Sequence, residues 1–204
     1  NIKIEDVPAV FGAMDGVGLT SMQTGMDNVR NVMTCAVSGL NPDEIVETTA
    51  LVRAINEEIL GNPAYSNLPR KLNVAVTGCP HNCVHMETQD LALVPAHYDL
   101  GHDRCVGFNV LVGGKLGSGG YLIATPLDVF VNPTEALDVC RAILEIYRDH
   151  GPRENRTQAR LAFLIEEWGE VRFRAEVEAR VGKRLVSAGM DARKTGEQDH
   201  VGIF

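Results

Sequence analysis

The stretch that most constrains this chain runs from Asn67 to Cys83, Asn-Leu-Pro-Arg-Lys-Leu-Asn-Val-Ala-Val-Thr-Gly-Cys-Pro-His-Asn-Cys. Leu72, Val74 and Val76 alternate with Asn73, Ala75 and Thr77, the period-two pattern of a β-strand with one face buried. Lys71, Asn73 and Ala75 then share the other face, so a cation and an amide point the same way. Arg70 precedes them, directly after the rigid Pro69. Gly78, Pro80 and Asn82 stop the strand and place Cys79 and Cys83 on a tight turn. A strand ending in a polar, thiol-bearing turn suits an anionic ligand.

Around that strand the pattern gives a helix, then strands, then helices. Residues 5–17 read as a short helix, with Pro8 in its first turn and Val10, Phe11 and Met14 at helical spacing. Residues 19–30 are polar and without a period, and read as a structured loop. Asn41-Pro42-Asp43-Glu44 has the cap, proline and acid of a helix start, and Ile45, Thr49, Val52, Ile55 and Ile59 carry an apolar face as far as Gly61. Segments 91–95, 106–112 and 127–131 read as strands. Asn132-Pro133-Thr134-Glu135 repeats the cap signal and opens a helix through Tyr147; 155–168 and 170–181 are further helical patterns separated by Gly169. Residues 183–200 are polar and read as a linker. Strands grouped apart from helices predict an α+β fold, a mainly antiparallel sheet flanked by helices.

At 204 residues the chain has room for one full core and an appended piece. A formal net charge of −8 argues against general nucleic-acid binding, and the short, interrupted apolar runs give no membrane span. Five cysteines, Cys35, Cys79, Cys83, Cys105 and Cys140, are an odd number that disfavours a secreted disulfide framework and suits a reducing, cytoplasmic setting. The two ends, Asn-Ile-Lys-Ile-Glu-Asp and His-Val-Gly-Ile-Phe, read as cuts in a longer protein. The face that would meet the remainder is then an apolar patch, and a homodimer of the fragment is expected through it.

Three groups of residues suggest chemistry. Cys79-x3-Cys83 has the spacing to place two sulfurs on one metal or iron–sulfur cluster, with Cys35 as a third; a plain structural turn is the equal alternative. Cys105 lies near a strand start, and Cys140, on the apolar face of a helix, reads as a core residue. His81 and His85 flank the thiol pair as ligands or proton donors, or as ordinary loop residues. Arg30, Arg70 and Lys71 lie near Asn28, Asn31 and Asn73, a mixture suited to carboxylates or a small oxyanion. The segment 113–120, rich in glycine, has the backbone to approach a bulky anionic cofactor or to form a simple hairpin loop. No Ser or Thr follows its Lys115, so it is not a phosphate loop.

Thr24-Gly-Met-Asp-Asn-Val-Arg-Asn31, Asn67-Leu-Pro-Arg-Lys-Leu-Asn73, Gly107-Phe-Asn-Val-Leu-Val-Gly-Gly114 and Asn155-Arg-Thr-Gln-Ala-Arg-Leu-Ala-Phe-Leu-Ile-Glu-Glu-Trp168 resemble the assimilatory nitrite and sulfite reductases. The ferredoxin-dependent nitrite reductases are the branch they look most like. The resemblance implies an enzyme of two pseudo-symmetric halves with siroheme between them, bridged to a [4Fe-4S] cluster through a cysteine thiolate. Ferredoxin would deliver electrons singly and nitrite would take six to become ammonium. Residues 1–22 would end a ferredoxin-like half-domain, 23–182 would be the first siroheme-binding α+β domain, and 183–204 a linker toward the second half. By itself such a piece is expected to be inactive.

The resemblance also implies roles. Arg30 matches an arginine facing substrate and siroheme carboxylates, and Lys71 a lysine that binds the anion and supplies protons. Asn73 stands where the sulfite reductases typically carry a second lysine, which fits a singly charged nitrite better than a doubly charged sulfite. Asn28, Arg30, Arg70, Lys71, Asn109, Gly113 and Gly114 are expected to hold the cofactor. The family's cluster cysteines, a Cys-x5-Cys and a Cys-x3-Cys, belong to the second half. Cys79-x3-Cys83 resembles the first-half counterpart of one pair, so no metal ligand is assigned here and Cys79 and Cys83 remain only weak candidates. A further distal arginine of the family falls upstream of Asn1. Two other readings stand beside this one: a sulfite reductase fragment, and a non-catalytic iron–sulfur or zinc module built on Cys35, Cys79, Cys83 and Cys105.

Overall fold

The computed structural model describes residues 2–101, 103–117 and 120–194. Five strands lie side by side in chain order: β1 (Val29–Met33), β2 (Leu72–Val76), β3 (Leu91–Asp99), β4 (Arg104–Val112) and β5 (Thr125–Val131). The fold is α+β, as expected, but the sheet is mixed. β1, β2 and β3 are parallel neighbours, whereas β3, β4 and β5 are antiparallel. The connections explain the parallel half. The chain returns from β1 to the start of β2 through helix α2 (Thr49–Ile59), and from β2 to the start of β3 through the loop 77–90.

The alternation read from the sequence sorts β2 correctly. Leu72, Val74 and Val76 enter the main core, shared with α2, α3 (Ala136–His150) and α4 (Leu161–Val181). Ala75 faces the other way, into a smaller cluster with Ala92, Val94, Leu111, Met86 and Ala124. Lys71 and Asn73 therefore belong to the face away from the helices. Helix α1 (Val7–Asp15) buries none of its residues, and Phe11 is 51% exposed.

Several elements differ from their sequence signals. α2 begins at Thr49, not at the Asn41 signal, because the Ile45 and Val46 N–H groups donate to the Gly78 carbonyl (2.7 and 3.1 Å) at the exit of β2. Asn41 instead accepts from the Asp43 N–H in a turn, and the Glu47 carboxylate takes the Thr49 N–H. The strand β1 was hidden in what reads as loop, since a bulge breaks its period. β3 runs on past Pro95, whose missing N–H falls between the end of pairing with β2 at Leu93 and the start of pairing with β6 (Met190–Asp191) at Ala96. The expected linker is therefore part of the sheet in its described portion: Val186 bridges Phe130, and β6 pairs with β3. Residues 195–204 lie outside the described residues. Gly169 does interrupt the helical pattern, with φ 72° and ψ 161° inside α4.

Candidate functional site

The cations gather at the start of β2, not at the thiol turn at its finish. In the β1–β2 ladder Val29 pairs with Leu72 and Asn31 with Asn73, so three residues of β1 span two of β2. Arg30 is the extra residue of this bulge, a device that re-aims a side chain. Just upstream, Met26 adopts a left-handed conformation (φ 67°), and its carbonyl accepts from Arg30 Nε and Nη2 at 3.1 and 3.0 Å. The Asn28 carbonyl accepts from the Leu72 N–H, which sets the 26–30 loop beside Lys71.

A cleft of about 420 Å³ opens there, lined by Arg70, Lys71, Lys115, Arg156 and Arg160 with Leu116, Gly117 and Thr157. Two carboxylates organise these cations. Asp27 accepts from Arg70 (3.0 Å) and from both terminal nitrogens of Arg156 (2.7 and 3.1 Å). Burial raises the Asp27 pKa, but the bonds from Arg156 and Arg70 outweigh it and hold the carboxyl below its usual range. Asp90, wholly buried, accepts a bidentate fork from Arg160, both contacts 2.7 Å, and the Asn73 backbone N–H at 2.8 Å. Burial pushes the Asp90 carboxyl up, with Arg160, the Asn73 N–H and Lys71 working against it. The Tyr147 hydroxyl donates to the Ala159 carbonyl (2.6 Å) and lies 3.2 Å from that of Arg70, so α3 locks the bend at Arg70, just ahead of β2, to the turn before Arg160.

Lys71 sits among like charges. Burial, then the charges of Arg160, Arg30 and Arg70, pull its ammonium below the usual lysine range, with Asp90 opposing them. Lys115 stacks over the Phe163 ring, 5.5 Å from its centroid, and donates to the Gly120 carbonyl at 3.2 Å. The backbone of Lys115 pairs with Leu122 in both directions, which fixes Lys115 at the cleft, while Ser118 and Gly119 of the glycine-rich segment lie outside the described residues.

The sequence-derived site residues divide accordingly. Arg30, Arg70 and Lys71 are brought together, with Asn73 beside them through Asp90. Asn28 is buried, and its Oδ1 has no hydrogen-bond partner among the described residues. Asn109 is occupied elsewhere: its amide exchanges two 2.8 Å bonds with the Gly189 backbone and anchors the chain leading into β6. Gly113, left-handed at φ 81°, donates to the Asp90 carbonyl, and a Cβ on Gly114 would meet the Gln89 carbonyl oxygen at 2.3 Å. These glycines thus serve the close approach of β4 to the Asp90 hub. Cys79, Cys83 and His81 lie at the opposite end of β2, five strand residues or roughly 16 Å away. Cys105 points to the Tyr98 carbonyl, Cys140 is a core residue whose thiol burial pushes up to about 12, and His81 pairs with Asp43 at 3.0 Å. Among the described residues, no group of three or more His, Cys, Asp or Glu is placed to hold a metal ion. Asp27, Asp90, Lys115, Arg156 and Arg160 were not singled out from the sequence. The four-residue spacing of Arg156 and Arg160 ahead of α4 was the available signal.

The profile of the family described as the nitrite and sulphite reductase 4Fe-4S domain matches residues 25–185. The chain belongs to this family. Relatives within the family include the ferredoxin–nitrite reductase of Leptolyngbya laminosa, 44% identical over 99% of this chain and 40% of that protein. The assimilatory ferredoxin-dependent nitrite reductase of Haloferax mediterranei is 37% identical over 99% of this chain and 37% of its own length. Among solved structures, the NirA protein of Mycobacterium tuberculosis superposes with a TM-score of 0.89 at 30% identity, covering 98% of this chain and 36% of that one. The chain thus spans about two fifths of the relatives it matches. No helix among the described residues is long and apolar enough to cross a membrane.

Proposed function

We propose that this chain is the first siroheme-binding domain of a ferredoxin-dependent nitrite reductase, and that the cleft at Lys71 holds cofactor carboxylates beside bound nitrite. The observation that carries this is the concentration of Arg70, Lys71, Lys115, Arg156 and Arg160 around one cleft in a chain of formal charge −8. Five cations against Asp27 and Asp90 leave a local excess that suits a polycarboxylate. The buried, unpartnered Asn28 Oδ1 next to Leu72 is a second point of fit for an outside group. Siroheme, when bound, would supply the redox chemistry for nitrite, with Arg70 and Arg156 placed to hold its carboxylates; ferredoxin would be the electron source and a [4Fe-4S] cluster in the second half the companion cofactor.

The chain's own contribution is binding and protons. Arg70 and Arg156, fixed by Asp27, take carboxylates; Arg30 and Lys71 hold the anion. Reduction of nitrite to ammonium consumes six electrons and eight protons and releases two waters. A lysine whose ammonium is weakened by burial and by its cationic neighbours is suited to deliver protons to the departing oxygens. Asn73, with an amide in place of a further cation, matches the single charge of nitrite. The domain alone lacks the opposing wall and is inactive by itself.

The test is reduction of nitrite to ammonium by the complete enzyme with reduced ferredoxin. Lys71→Met should lower kcat by about 100-fold or more, the scale of general acid catalysis, with the siroheme absorption retained. Unchanged kcat in that variant would overturn the role given to Lys71.

A further inference from the structure

At the far end of β1 and β2, away from the cleft, the fold gathers three of the five thiols. The parallel register pairs Met33 with Ala75, and Cys35 follows two residues after Met33 as Thr77 follows Ala75, with Cys79 two residues further on. Cys35 is buried, and the thiols of Cys83 and Cys79 lie near enough to act on its own. Cys79 is already engaged: its Sγ lies 3.7 Å from the Thr77 hydroxyl and donates to the His81 carbonyl at 3.6 Å. Cys83 is the partly exposed member of the trio. Cys105 and Cys140 are separate, one on β4 bonded to the Tyr98 carbonyl and one sealed in α3.

We infer that Cys35 and Cys83 are a reversible dithiol pair, oxidised to a disulfide by peroxides and reopened by small thiols. Cys83, reachable from solvent, attacks the peroxide: an S–O bond forms, the O–O bond breaks, and one water leaves after protonation. Cys35 then attacks the Cys83 sulfur, forming S–S and releasing the second water. Two thiols lose two electrons and two protons to one hydrogen peroxide, which ends as two waters. Two equivalents of a small thiol reverse the change by exchange.

The placement gives the pair a consequence. The segment it would close, 36–82, contains α2 and the whole of β2, including Arg70, Lys71 and Asn73. The bridge would tie β1 to the turn after β2 at the end opposite Arg30 and Lys71, holding the register on which the Arg30 bulge depends. It would constrain the unfolded chain through a long loop and leave the cleft itself untouched.

Peptide mapping of the 204-residue chain after mild hydrogen peroxide, with free thiols alkylated and no reductant added, tests this. The expected product joins the Cys35 and Cys83 peptides, leaves Cys105 and Cys140 as free thiols, and disappears after dithiothreitol. Oxidation should also raise Tm by roughly 5–15 °C, the scale for a loop of this length in a chain of this size. Cys83→Ser should show neither the linked peptide nor the Tm rise. A Cys35–Cys79 product, five free thiols after peroxide, or stoichiometric zinc or iron bound by the trio and blocking oxidation would each overturn the pair.

Discussion

At Lys71 the ammonium faces Arg30, Arg70 and Arg160, with Lys115 and Arg156 across the same cleft and the Asp90 carboxylate as the opposing charge. Asp90 has two duties: it pairs with Arg160 through two 2.7 Å contacts and accepts the Asn73 N–H. Asp90→Asn removes the charge that supports a protonated Lys71 and leaves Arg160 unopposed. The basic limb of kcat against pH in the complete enzyme should therefore move to lower pH, since the donor loses its proton sooner. The same change should cost about 3 kcal/mol of stability, the lower end for breaking a buried ion pair, measured by urea unfolding. A stability loss with an unmoved pH profile would leave Asp90 a purely structural role. Asp90 was invisible in the sequence for a plain reason. It stands between Gln89 and Leu91 with no pattern around it, and its importance comes from Arg160, seventy residues away. Lys71 and Asn73, by contrast, were legible because strand alternation alone puts them on one face.

At the scale of elements, the sequence announced those whose period is clean and lost those bent by partners. β2, β4, β5 and α3 follow their alternation or helical spacing. β1 was lost because its bulge at Arg30 breaks the period. The Asn41 helix signal failed because its following N–H groups are drawn to Gly78. The glycine pair after β4 shows the same dependence on distant backbone. Gly114 stands where a Cβ would lie 2.3 Å from the Gln89 carbonyl oxygen and 2.6 Å from that of Glu87. Gly114→Ala should therefore force β4 away from the 87–90 segment and cost about 2 kcal/mol or more. Urea unfolding measures the loss, and hydrogen exchange should show weakened protection of the Gly113 N–H, which donates to the Asp90 carbonyl. An unchanged midpoint would mean that this contact is not close in solution.

Taken as a whole, the molecule has a sheet covered by helices on one face and by a smaller apolar cluster on the other, with the cationic cleft opening at the start of β2. Its charges also set how it meets acid. Asp149 is held at about 2, chiefly by the Arg148 side chain and further by Arg180, against the effect of burial. A carboxyl depressed in the folded state contributes stability that is fully present above its unfolded value near 3.8 and is lost as pH falls through about 2. Asp149→Asn should lower Tm above pH 4, and the gap to the unchanged chain should close as pH approaches 2. A constant gap across that window would assign the loss to something other than ionisation.

The most direct measurement is the ratio of kcat/KM for nitrite to kcat/KM for sulfite in the complete enzyme, alongside the Asn73→Lys variant. Nitrite should be strongly preferred, and the added cation next to Lys71 should move the ratio toward sulfite by at least about tenfold. A native preference for sulfite, or a ratio indifferent to Asn73→Lys, would contradict the reading of this cleft as a nitrite site.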